Sequence, residues 1–326
     1  MNACIPAQSI SRTVRQRLDA APFAARVLAV FEHACDLVAS DGDVAALVSP
    51  RIGAGPLNVV VDAGPEAFRG LEAGMSVCLE RGCLHVGPLT VSLEDAVVWE
   101  PRPDWEQLRA CATACGQRLR LVRATALRLA PTGSLLPLVD AATAGGQDSV
   151  LCSLVAARLA CGSGEAASRP GSAAEGDPLS SSPPQALDAV LTAVARALQA
   201  LRAGWQGHAV LLRDGASQLA GLGGGLTPAG DDWLCGAMLG AWLAHPDPGW
   251  LCERVVEAAA GRTTFLSAAF LRAAGRGECA STWHRLLAAL CVGAPAETEA
   301  AVRDVLSLGA TSGADALAGF LWAALD

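Results

Sequence analysis

The sequence contains no lysine and no tyrosine; all 24 basic residues are arginine. A pyridoxal phosphate enzyme needs a Schiff-base lysine and a Walker A loop needs Gly-Lys-Ser/Thr, so both classes are excluded. The arginines form no cluster and the net charge is -8, which argues against nucleic acid as a partner. No apolar run reaches the ~18 residues of a membrane span. Arg12, Arg15, Arg17 and Arg26 interrupt the N-terminal stretch where a secretory signal needs an apolar core. There is no Cys-x-x-Cys pair and no histidine at zinc-ligand spacing from the cysteines, so the 12 cysteines read as core packing in a cytoplasmic protein with reduced thiols. A Gly-x-Ser-x-Gly nucleophile elbow is also missing.

What is present is a packed chain of 326 residues, 52% hydrophobic and 17% charged, long enough for one large or two smaller cores. Short apolar runs at residues 26–31, 45–48, 57–62, 77–80, 83–86 and 96–99 are separated by Gly and Pro. Asp41-Gly42 and Arg81-Gly82 read as hairpin turns. With no helical pattern between them, residues 1–105 are expected to form an antiparallel β-rich barrel or sandwich. From Asp104 the apolar spacing becomes helical, giving an α+β chain: connecting helices over 106–161, a flexible Gly/Ser/Pro-rich loop over 162–184, and a helical bundle over 185–326.

Within that bundle the stretch 221–236 stands apart. Four glycines in five residues lead to Thr227 as an expected N-cap, Pro228 at the first helical position, and the adjacent acids Asp231 and Asp232. A glycine loop opening into a helix N-terminus suits an anion, and the two acids oppose one. As a dinucleotide fingerprint the stretch fails, because Leu226 stands where the third glycine belongs. Three roles fit the acidic pair: coordinating a divalent cation, holding an arginine such as Arg262, or accepting hydrogen bonds from a substrate amide. The helix beyond is apolar on nearly all sides. Gly236, Gly240 and Ala244 lie at four-residue intervals that let another backbone approach.

Two later segments accompany the motif. Arg262-Thr263-Thr264 with Ser267 is spaced for hydroxyls on one helix face, with an N-cap as the plain alternative. Thr311-Ser312 followed by Asp315 reads as a capping box. The segment 311–319 also echoes 227–236 through a shared Thr and an Asp-x-Leu-x-Gly ending, with a one-residue gap, so the two helix starts could face each other across one site.

The run Gly-x-Gly-Leu-Thr-Pro-x-Gly-Asp-Asp at 223–232, then Arg-Thr-Thr-x-x-Ser at 262–267 and Gly-x-Thr-Ser-Gly-x-Asp at 309–315, resembles the AllH subunit of oxamate carbamoyltransferase. Gly224 and Ala229 depart from the family pattern, in which Pro and Ser are commoner. The resemblance implies a subunit of a complex with an FdrA-type protein related to acyl-CoA synthetases. That complex interconverts oxalurate plus phosphate with oxamate plus carbamoyl phosphate during allantoin, hence purine, breakdown. On that footing Gly223, Gly224, Gly225 and Thr227 would supply donors to a small anionic substrate. Arg262, Thr263, Thr264, Ser267, Thr311, Ser312 and Asp315 would line the site, and Asp231 or Asp232 would handle a proton at the oxamate nitrogen. No cofactor is firmly implied.

Overall fold

The structure, a computed structural model, describes residues 4–20, 23–112, 116–137 and 184–325. The helix expected over 149–161 and nearly all of the loop expected over 162–184 lie outside these residues. The strands are β1 (Cys4–Ser11), β2 (Ala24–Val30), β3 (Ala34–Ala39), β4 (Val44–Val48), β5 (Asn58–Val61), β6 (Ser76–Glu80), β7 (Cys83–Val86), β8 (Leu89–Ser92) and β9 (Val97–Trp99). The first helices are α1 (Arg12–Ala20), α2 (Trp105–Ala112), α3 (Gly116–Leu129), α4 (Pro184–Trp205) and α5 (Ala209–Leu219). They are followed by α6 (Ala229–Ala244), α7 (Pro248–Ala259), α8 (Phe265–Gly275), α9 (Ser281–Val292), α10 (Pro295–Leu306) and α11 (Ser312–Leu325).

The chain divides into two compact units, Met1–Cys115 with Phe265–Ala301 and Gly116–Thr264 with Val302–Asp326. Residues 265–301, grouped with the helical bundle from sequence, thus fall with the β-rich region. Backbone bonds from Cys279 N–H to the Pro101 carbonyl and from Ser281 N–H to the Ala54 carbonyl tie them there, both at 2.9 Å. Trp105 adds an indole N–H bond to the Gly277 carbonyl.

The first unit is a β-barrel. Its strands run β5-β4-β3-β2-β6-β7-β8-β1, and β1 closes the ring by pairing with β5 while β9 extends along β1. The Asp41-Gly42 and Arg81-Gly82 turns join β3–β4 and β6–β7 as expected. Gly42, Arg81 and Gly82 all have positive φ, which hairpin turns require. The sheet is mixed, however: β1 pairs parallel with β8 and β9, and β4 parallel with β5. The long β1 meets β8 with its first half and β9 with its second. Helix α1 interrupts the strand pattern by burying Val14 and Leu18 one turn apart.

The barrel interior is filled by Ile10, Val27, Leu37, Leu47, Val59 and Leu84. Along β3, Cys35, Leu37 and Ala39 face this core, and by alternation Asp36 and Val38 face the other side. That outer face is covered as well, since Val38 packs with Val44, Leu266 and Ala269. Asp36 is therefore buried. Desolvation pushes its carboxyl up to about 6.

The second unit is helical, and its centre is the pair α6 and α11. Both helices are buried along most of their length, which the all-round apolar sequence of each requires. The pair crosses at glycines. A Cβ on Gly236 would stand 1.7 Å from the Ala316 carbonyl oxygen, and one on Gly319 would stand 1.9 Å from that of Trp233. Each carbonyl belongs to the residue three positions before the opposite glycine, so the contact is reciprocal. Among the described residues, no helix is long and apolar enough to cross a membrane.

Candidate functional site

The site grows from the turn between α5 and α6. Helix α5 ends at Leu219, and the chain reverses at Gly221 with φ +75°. Only glycine fits there: a Cβ would lie 2.2 Å from the Arg262 carbonyl oxygen. Gly223 and Gly225 also have positive φ, so the glycines serve a looped backbone. Leu222 accepts the N–H of Gly230 at 2.9 Å and closes the loop onto the helix start. Among the described residues, none accepts from the backbone N–H groups of Gly223 to Thr227.

Asp231 is 1% exposed and anchors the loop from beneath. One carboxylate oxygen accepts the Gly221 N–H at 2.9 Å. The other accepts the Thr263 hydroxyl. Thr264 then donates its hydroxyl to the Leu226 carbonyl at 2.5 Å, so the 261–264 turn grips both the base and the tip of the loop. Asp232 is half-buried at the head of α6. The thiol of Cys235, one turn on, is pushed well above its ordinary value, first by desolvation and then by Asp232 and Asp231. It stays protonated and is no nucleophile.

Several sequence expectations change here. Helix α6 begins at Ala229 with Pro228 as its cap residue and no side-chain cap. Thr227 is not the N-cap; its hydroxyl meets that of Ser312 at 3.0 Å. The capping box at Ser312 does not form either, because Asp315 is fully buried and accepts the Leu135 N–H at 2.7 Å. Asp315→Ala would orphan that buried N–H, and a loss of about 2 kcal/mol is expected in denaturant titrations. Thr263 and Thr264 precede α8, whereas Ser267 is buried within it in the barrel unit, so the three hydroxyls share no helix face. Arg262 is exposed and forms no ion pair among the described residues, so the pairing of Arg262 with the acids is not made.

The echo between the two helix starts is structural. Gly230, Asp232, Leu234 and Gly236 align without a gap on Gly313, Asp315, Leu317 and Gly319. Gly230 N–H bonds to the Leu222 carbonyl, and Gly313 N–H bonds to that of Leu308, both at 2.9 Å. Asp232 N–H reaches the Pro228 carbonyl and Asp315 N–H that of Thr311, again four residues back. The two helix-turn-helix units therefore share one geometry, and the length difference falls in the preceding loop. Sequence comparison set the gap one step wrong because it anchored on the threonines.

Chemically, the loop offers backbone donors at a helix N-terminus beside two hydroxyls and the half-buried Asp232. The Asp231 charge is held by donors of the chain itself, which resolves much of the conflict between acids and anion. Both Asp231 oxygens face N–H and O–H donors, not the open oxygens a cation needs. No group of three His, Cys, Asp or Glu gathers among the described residues. Sequence reading missed Gly221, Gly230 and Gly313 as required glycines. The carbonyl that Gly221 packs against is distant in sequence, and those against Gly230 and Gly313 belong to the ends of the preceding helices.

No solved structure matches the chain. A family model described as "Oxamate carbamoyltransferase subunit AllH" matches residues 219–324, which include the whole glycine-loop site. A second, described as "AllH family N-terminal domain", matches residues 6–98, the span of the barrel strands. The chain belongs to the AllH family of oxamate carbamoyltransferase subunits.

Proposed function

We propose that this subunit serves a complex that interconverts oxalurate plus phosphate with oxamate plus carbamoyl phosphate, and that the glycine loop holds the small anionic substrate. The observation carrying this reading is the run of backbone N–H groups from Gly223 to Thr227, at the head of α6, for which the described residues supply no acceptor. In the direction of oxalurate breakdown, a phosphate oxygen forms a bond to the ureido carbonyl carbon. The bond from that carbon to the oxamate nitrogen breaks, and the proton of the phosphate passes to that nitrogen. The tetrahedral centre between these events is anionic, and donors fixed before the reaction stabilise it. Asp232, half-buried at the helix head, carries the proton. Asp231 is a positioning residue that keeps the loop shaped. The partners are an FdrA-type protein and the other subunits, and the setting is allantoin breakdown in the cytoplasm.

A second reading, a non-catalytic ligand-binding or scaffold subunit, is favoured by one observation: both Asp231 oxygens are spent on holding the loop. Reconstitution with the FdrA-type partner separates the two. Asp232→Asn is expected to lower carbamoyl transfer at least tenfold, about 1.4 kcal/mol, without a change in thermal midpoint. Full activity in that variant, with retained co-purification, would establish the scaffold.

A further inference from the structure

The barrel unit contains a second place suited to a charged ligand. A cavity of about 230 Å³ lies among α1, the start of β4 and α8. Its apolar floor includes Phe23 and Leu57, and its polar lining is Thr13, Arg17, Asp43, Arg272 and Arg276. Three guanidinium groups and one carboxylate thus line it, with Asp41 and Glu278 paired to two of the three guanidinium groups. They arrive in pairs one helical turn apart: Thr13 with Arg17 on α1, and Arg272 with Arg276 at the end of α8.

Two of the arginines are fixed. Arg17 donates to Asp41 at 2.5 Å and to Asp43 at 2.9 Å, and lies over the Phe23 ring. Arg276 makes a two-pronged pair with Glu278, both bonds 2.8 Å, and Thr13 donates to the same Glu278 at 3.0 Å. Arg272 is held differently. Its guanidinium lies 3.5 Å from the Gly42 carbonyl and 3.7 Å from Asp43, outside good hydrogen-bond range. Five N–H donors in a rigid fork, on the one lining guanidinium with no hydrogen bond shorter than 3.5 Å among the described residues, match the two oxygens of a carboxylate or phosphoryl group.

We infer that this cavity binds a small oxoanion, a carboxylate or a phosphate, with Arg272 as its direct contact and Arg17 and Arg276 as prepositioned charges. The volume admits a ligand of about five to ten non-hydrogen atoms, taking roughly 30 Å³ for each water-sized group. The barrel strands give the cavity an apolar side, so the ligand carries its charge at one end. This site lies wholly within the barrel unit and is independent of the glycine loop.

Calorimetric titration of the full chain with inorganic phosphate and with oxamate distinguishes the two sources of oxoanion, with neutral oxamide as control. Saturable binding of at least one anion is expected, with oxamide silent. Arg272→Gln should weaken that binding about tenfold or more, and Arg276→Gln should weaken it to a smaller degree. Thermal unfolding of both variants verifies that they fold. Wild-type affinity in a folded Arg272→Gln protein, equal binding of oxamide, or no saturable binding at millimolar anion would each overturn the inference. None of these results depends on transfer activity, so failure here leaves the Asp232 test intact.

Discussion

Alanine at Gly236 or Gly319 is expected to lower stability by about 3 kcal/mol or more, the upper range for overpacking a close contact. On helix propensity alone the change should help, since alanine exceeds glycine by about 1 kcal/mol in a helix interior. Geometry reverses the sign. A methyl group would stand 1.7 Å from the Ala316 oxygen in one case and 1.9 Å from the Trp233 oxygen in the other. Both obstacles are backbone, so no side-chain rotation relieves them and the helix axes must separate. For a chain of this size, about 3 kcal/mol corresponds to a fall of roughly 4–5 °C in the thermal midpoint. Gly225→Ala is the natural control. Its φ is +88° but nothing lies within 4 Å of its Cβ position, so only the backbone cost of about 1 kcal/mol applies. A Gly236→Ala protein as stable as the Gly225→Ala one would disprove the close crossing.

Asp36→Asn is expected to stabilise the protein by about 3 kcal/mol at pH 7. The carboxyl is raised from 3.8 to about 6 by desolvation on the covered outer face of β3. That shift of roughly 2.2 pH units is worth about 3 kcal/mol at 1.36 kcal/mol per unit. The sign follows from linkage. The folded carboxyl keeps its proton to higher pH than the unfolded one, so the full stability is present below 3.8 and is lost as pH rises through about 6. Asparagine has no proton to lose. Its advantage should therefore shrink to about 1 kcal/mol at pH 4.5 and vanish at lower pH. Urea titrations of both proteins across this range measure the difference. A constant gap between them would show that desolvation of the charge is not the cause.

Much of the barrel could be read locally. The apolar runs predicted β2, β4 to β7 and β9, and Asp41-Gly42 and Arg81-Gly82 marked two hairpins, which form between sequence neighbours and announce themselves in turn chemistry. Strands β1, β3 and β8 were not read. In β1, Pro6, Gln8 and Ser9 disguise a strand whose partners β5, β8 and β9 all lie far along the chain. The parallel pairings have the same origin, since no local signal states which distant strand completes a barrel.

At the site, local chemistry marked the glycine loop, the acids and the two hydroxyl segments, and the family resemblance rested on those same residues. By itself the sequence determined the α+β division, the absence of lysine and nucleotide-loop chemistry, and a glycine-rich helix start carrying two acids. Only the tertiary structure decided what each acid does. Asp231 turns inward because Gly221 and Thr263, ten and thirty-two residues away, bring it donors. Asp315 leaves its expected cap for the distant Leu135 N–H. Propensity is set by neighbours in the chain. The partner of a buried charge is set by which backbones the packing brings within 3 Å of it.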